Sequence, residues 1–275
     1  NATLTVVDDA PVVTTLLGAI STPPAVADFL RQSLPAQVSL QLNAPAGDGA
    51  QVLNVSGKLG PSDAKLEAKL GAGIASALTA PISAKLDLSS DSALLMTRQL
   101  GLGAYPLFGD GTPLHMTVSV DGVPSNSYQT QVRIEGGDDH LAFDGNVIPG
   151  DFTRIEGNGA LDVKLAEPGI VAEAFGAGGI YLPGLAGTAD LSFNGPDNVS
   201  LSRIDAGGAR GELALTRTGD VASVTGNVTL PSLDARALVP MLGGASSTVT
   251  RADSLWPEGP IDIGQGPRTT TDRID

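Results

Sequence analysis

Apolar and polar residues alternate at period two along most of this chain, the pattern made when successive side chains of a strand point to opposite faces. In AQVSLQLNA, Val38, Leu40 and Leu42 share one face, while Gln37, Ser39 and Gln41 share the other. The stretch AKLEAKLG sets Leu66, Ala68 and Leu70 against Lys65, Glu67 and Lys69. The same alternation runs through PISAKLDLS (Ile82, Ala84, Leu86, Leu88), PLHMTVSVD (Leu114, Met116, Val118, Val120) and GALDVKL (Leu161, Val163, Leu165). It returns in GTADLSFNG (Ala189, Leu191, Phe193) and VTGNVTL (Val224, Val228, Leu230). Strands that are apolar on one face only belong to antiparallel sheets, because parallel sheets covered on both sides read as continuous apolar runs. Turn compositions such as GDG, EGGDDH, NGPDN, DAGGARG and RTGD separate them.

Short helical segments interrupt the strands. DDAPVVTTLLGAI and PPAVADFLRQSL predict helices near 11–20 and 24–34. SSDSALLMTRQLG offers serine caps before a helix over 91–101 and Gly101 as its stop, and AEPGIVAEAFG predicts another over 167–176. SLDARALVPMLGG predicts a last one over 233–243, shortened or kinked at Pro240. About four strands fall between successive helices, so the chain reads as a degenerate repeat of one supersecondary unit. The expected units are 1–90, 91–166, 167–232, and 233–275 as a helix opening a further β segment. Stacked units of this kind predict an elongated, all-β, mainly antiparallel twisted sheet with short helices.

Composition sharpens this picture. The chain has 275 residues, 41% of them hydrophobic and 17% charged, enough apolar content to fold. Aromatic residues are only 4%, so the apolar face is built from Leu, Val, Ile and Ala rather than from the large rings that fill the space between packed sheets. That face either closes on itself as an ordinary core or forms a groove lined by Val38, Leu40, Leu42, Leu66, Leu86, Leu88, Met116, Val118, Val120, Leu161, Val163, Leu191, Phe193, Val228 and Leu230. A net charge of −14 repels phosphate backbones and argues against a nucleic-acid partner. The absence of cysteine removes disulfides, thiolate metal sites and a cysteine nucleophile, and leaves the redox compartment open. No run of about 18 apolar residues is present. The chain opens at Asn1 inside an alternating stretch, which leads us to expect a mature protein or an excised piece.

Catalytic chemistry is sparse. His115 lies on the polar side of its strand beside Thr117 and Ser119, and reads as a surface residue. Asp138, Asp139, His140 and Asp144 could together hold a cation or move a proton, but Gly-Gly-Asp-Asp is a turn composition and a second nearby histidine is missing. LGLGAY and FGAGGI lack the strand-before, helix-after setting of a nucleotide loop. The sequons at Asn1, Asn54, Asn198 and Asn227 matter only in a eukaryotic secretory context. ALLMTRQLG and ARALVPMLGG are short and poor in basic residues for membrane-surface helices, and suit covering a sheet edge better. The lone Trp256 reads as a packing residue at a junction. No catalytic residue, metal site or cofactor is expected.

LDARALVPMLGG running on from an alternating strand, and SLWPEGPIDIG after it, resemble the AsmA family of Gram-negative bacteria, relatives of the TamB-type proteins, most clearly over residues 226–263. The resemblance implies a periplasmic protein anchored to the inner membrane by a segment outside this chain. It implies a long β groove, phospholipid acyl chains as the partner, and a role in phospholipid transfer or envelope maintenance. With it, the groove becomes the favoured arrangement of the apolar face. Two alternatives stand beside it: an assembly factor that binds an envelope protein through its β edge, and a carbohydrate-binding β module. The latter wants exposed aromatic platforms, and one Trp with three Tyr equips it poorly.

Overall fold

Alternation at period two can bury one face only if neighbouring strands agree on which residues point inward, and the backbone meets that condition across the whole sheet. The computed structural model describes residues 2–6, 29, 31–44, 49–77, 79–100, 108, 111–149, 154–166, 184–195, 197–218 and 221–231. They form an antiparallel sheet of 13 strands whose spatial order is their order in sequence. The strands are β1 (Ala2–Val6), β2 (Ala36–Asn43), β3 (Gln51–Leu59), β4 (Ser62–Leu70), β5 (Ile82–Ser90), β6 (Leu114–Val123) and β7 (Ser127–Gly136). The remainder are β8 (Asp139–Ile148), β9 (Glu156–Leu165), β10 (Leu185–Asn194), β11 (Asn198–Ala206), β12 (Ala209–Thr218) and β13 (Val221–Thr229). β1 and β13 do not meet, so the sheet is open. At about 4.8 Å between strands it extends on the order of 60 Å along its own surface.

One α-helix, α1 (Ala93–Gln99), joins β5 to β6, inside the helix expected over 91–101. Ser92 caps it by accepting the Leu95 N–H on its hydroxyl at 3.4 Å, and Arg98 sits in the last turn where the helix dipole favours a cation. Residues 29, 31 and 32, within the helix expected over 24–34, are also helical. The helices expected over 11–20, 167–176 and 233–243, and Trp256, lie outside the described residues. Five strands, β1–β5, precede α1, four of them after segment 24–34; four, β6–β9, lie between α1 and segment 167–176; and β10–β13 follow that segment. The sheet continues through the expected unit boundaries, since β5 pairs with β6 and β9 with β10.

Register slips at one place and corrects itself there. In LSRIDA the apolar residues Leu201 and Ile204 are three apart, which would send them to opposite faces of a regular strand. Leu201 pairs with Leu213 and Ile204 with Gly211, so two residues of β11 oppose one of β12. This β-bulge absorbs the extra residue and keeps both side chains on one side. Arg203 occupies the bulge at φ 50°, the left-handed region that a non-glycine residue enters at a cost of about 1–2 kcal/mol, and its guanidinium pairs with Asp190 on β10.

The best-buried residues collect where α1 meets the apolar face. Leu88, Ala93 and Met96 are fully buried with Phe108, Leu114, Met116, Ile134 and Leu165 around them. Gln99 joins three parts of the chain beneath that cluster. Its side-chain N–H donates to Ser33 Oγ at 2.8 Å and to the Leu59 carbonyl at 2.9 Å, while its Oε1 accepts the Ser62 hydroxyl at 2.6 Å. A buried amide left without partners would cost about 1–3 kcal/mol, so this node fixes where α1 can sit.

Removing the Leu88 side chain should cost about 2–5 kcal/mol, because it is fully enclosed and leaves a cavity. Val224→Ala, at a side chain 66% exposed, should change stability by less than about 0.5 kcal/mol. Urea unfolding of the two variants checks this, and equal losses would contradict a core concentrated beside α1.

Candidate functional site

Directly opposed residues of antiparallel strands share a face, so the cross-strand register assigns every side chain. Leu40 faces Val55, Val55 faces Leu66, Leu66 faces Leu86, and Leu86 faces Val118. Val118 continues to Val132, Phe143, Leu161 and Ala189 without leaving that side. Val38, Leu88, Met116 and Val163 fall in the adjoining row, and Leu42, Val120 and Leu191 in the row on its other side, with Phe193 one row further out. Val228 opposes Gly211 on the same face, and Leu230 follows two positions later, one residue past the end of β13. The register therefore puts every residue named in the sequence as lining a groove, except Leu230 beyond β13, on one side of one sheet.

Burial along this face is uneven. Leu88, Met116 and Val38 are buried, and Leu40, Leu66, Leu86, Val118, Val120, Leu161, Val163, Leu191 and Phe193 are half-buried. Leu42, Val228 and Leu230 stand open to solvent, as do Leu185 and Val224 on the same side. Among the described residues, no strand after β9 contains a buried side chain. On this face hydroxyls stand at Ser62 and Ser90, near α1, and at Thr130 and Tyr128. Burial pushes the Tyr128 phenol above its ordinary value of 10.0, as expected for a group held against apolar neighbours.

Glycines recess part of this face. Gly145 and Gly159 oppose each other on β8 and β9, and a Cβ at Gly159 would lie 2.4 Å from the Asp144 carbonyl and 2.8 Å from the Phe143 ring. The Phe143 ring thus lies down over the glycine pair instead of standing away from the sheet, and Phe193 covers Gly157 in the same manner. The two rings meet at 6.3 Å between centroids, tilted by 57°. Glycine kinks of this sort let a sheet coil toward the face that lacks the methyl group.

The opposite face is wet and internally paired. Lys58 meets Asp63 at 2.9 Å, His115 meets Asp87 at 3.0 Å, His140 meets Asp162 at 3.5 Å, and the Gln131 amide donates to Asp144 at 2.9 Å. Both histidines are partly exposed and lie on different strands, β6 and β8. Gly137 and Asp138 form the tight turn between β7 and β8, and the Asp139 carboxylate accepts the Ala166 N–H at 2.9 Å, which gives that acidic cluster a structural role. A shallow hollow of about 440 Å³ on this face is lined by Glu67, Lys69, Lys85, Asp121 and Gln131. It presents both signs of charge.

Sequence reasoning left out several members of the apolar face: Leu53 and Val55 on β3, Val132 and Ile134 on β7, Leu141 and Phe143 on β8, and Leu213 and Leu215 on β12. Alternation in QVRIEG and HLAFDG was the available signal. In QVLNVSGKL it is obscured by Val52, which pairs with Asn43 and Lys69 on the wet side. The Gln99, Ser33 and Ser62 node carried no sequence signal, since its members are 66 and 37 residues apart. Comparison with protein-family models, curated proteins and solved structures finds no match to this chain.

Desolvation of Tyr128 favours its neutral phenol in the folded state, so the stability it contributes is complete below pH 10.0 and is lost as pH rises through the higher folded value. Phenolate absorbance, taken as the difference between wild type and Tyr128→Phe, should appear at higher pH in native protein than in denaturant. Coincident titrations would place the phenol in water.

Proposed function

We propose that this chain handles phospholipid acyl chains without catalysis, as a lipid-transfer or envelope-maintenance segment, with the aliphatic face of the sheet as the binding surface. One observation carries the reading: aliphatic side chains share one face, in register, from β2 to β13 of an open 13-stranded sheet. Such a face is longer than a monomeric protein leaves to water, and toward β13 it is the least covered. Hydrocarbon fits it chemically. The inner rows hold few hydrogen-bonding groups, and each methylene moved out of water contributes about 0.8 kcal/mol, so part of an acyl chain suffices for useful affinity. The resemblance of residues 226–263 to the AsmA family supports the same use and a periplasmic setting, with a membrane anchor supplied by a segment outside this chain. A second reading, an assembly factor that binds an envelope protein through a sheet edge, draws on the uncharged sequence of β13, VASVTGNVT.

Purified protein is expected to carry phospholipid that mass spectrometry of an organic extract detects. Val118→Asp and Leu191→Asp should each lower that content several-fold, because an unpaired carboxylate in an apolar lining costs about several kcal/mol or draws in water. Glu67→Lys, on the wet face, should leave it unchanged. Lipid-free wild type, or equal lipid in all three variants with circular dichroism unaltered, would overturn the acyl-chain reading.

A further inference from the structure

We propose that the Tyr128 hydroxyl is the polar contact of the acyl-chain surface, donating to the ester carbonyl of a bound phospholipid and so fixing where on the face the chain begins. This rests on the acyl-chain reading above. Of the hydroxyls on this face, Ser62 donates to Gln99 Oε1 at 2.6 Å, Ser90 to the Pro61 carbonyl at 3.1 Å and Thr130 to the Tyr128 carbonyl at 3.5 Å. Those three are committed within the protein. The Tyr128 phenol has no hydrogen-bond partner among the described residues. Burial raises its ionisation above the ordinary value of 10.0, so at neutral pH it keeps its proton and remains a donor.

Position gives that donor a use. Tyr128 is the second residue of β7 and lies beside the end of β6 that is farther from α1, in a cross-strand row that runs Ile82, Gly122, Tyr128, Val147. Gly122 puts no side chain between Ile82 and the phenol, and at φ 154° a Cβ there would collide with the Ser127 carbonyl. Inward from this row the face is hydrocarbon, with Val120 and Val118 on β6 and Val132 on β7 all half-buried. Next to its chains a phospholipid carries one kind of hydrogen-bonding group, the ester carbonyl, which accepts and cannot donate. A phenol at the boundary between apolar rows and water is the complementary group, since its ring suits the chain and its hydroxyl suits the carbonyl. Seated there, the lipid runs its chain inward over Val120, Val118 and Val132 and leaves its phosphate in water beyond the strand ends.

An ether lipid of the same headgroup and chain length lacks only the carbonyl, which makes it the probe. Delipidated protein is incubated with vesicles of equimolar dipalmitoyl phosphatidylcholine and its dihexadecyl ether counterpart, re-isolated, and extracted for mass spectrometry. Wild type should hold about three- to tenfold more of the ester lipid, the worth of one hydrogen bond. Tyr128→Phe should hold the two equally with an unchanged circular dichroism spectrum, while Thr130→Val, whose hydroxyl is committed within β7, should keep the preference. A purely structural role for Tyr128 would lower both lipids together and preserve their ratio, and a ratio preserved in Tyr128→Phe overturns the proposal. Equal amounts of the two lipids in wild type also overturn it and leave the acyl-chain reading standing, whereas wild type that takes up neither lipid overturns both.

Discussion

A side chain on a β-strand can face one of only two ways, and 13 strands in one sheet have to agree on which. A slip of one residue between any two neighbours would turn every later apolar side chain into water. The structure meets this constraint with a meander in which each strand pairs only with its neighbours in sequence, so each register involves two consecutive strands, many of them joined by a short turn. The turns are tight at Gly60–Pro61, Gly137–Asp138 and Gly207–Gly208. Where the sequence itself loses step, between Leu201 and Ile204, a bulge at Arg203 takes up the difference and the face continues.

An open sheet with one apolar side still has to deal with water on that side, and the two halves do so differently. Around α1 the face is capped. Met96 and Ala93 press on Leu88 and Met116, and the Gln99 amide ties the helix to the β3–β4 hairpin and to Ser33. From β10 onward the described residues have no such cap, and exposure rises to 66% at Val224. Between the halves, Gly145, Gly157 and Gly159 with the Phe143 and Phe193 rings over them mark a stretch where the backbone can coil without side-chain collision. Burial therefore concentrates around α1, and exposure rises toward β13.

The wet face carries ion pairs. Its charges pair with one another across neighbouring strands, as in Lys58 with Asp63 and His140 with Asp162, and exposed pairs of this kind contribute at most about 1 kcal/mol each. They also discourage one-residue register slips, since a slip would carry them into the apolar rows.

The sequence by itself determined the strands, their antiparallel character and which residues of each strand belong together, because alternation is a local property that a single strand displays alone. It also located α1, through the serines before Ala93 and the glycine after Leu100. Val38, Leu86, Val118, Leu191 and Val228 could each be picked out in this way. Alternation could not tell whether the apolar side of one strand faces the same way as the apolar side of the next; only cross-strand register decides that, and it placed Val132 and Phe143 between Val118 and Leu161 although neither had been singled out. Nor could it reveal the Gln99 node or the seating of Phe143 on Gly159, whose partners are distant in sequence or belong to neighbouring strands. Contacts of that kind exist only once the strands lie side by side, so the tertiary structure alone could decide them.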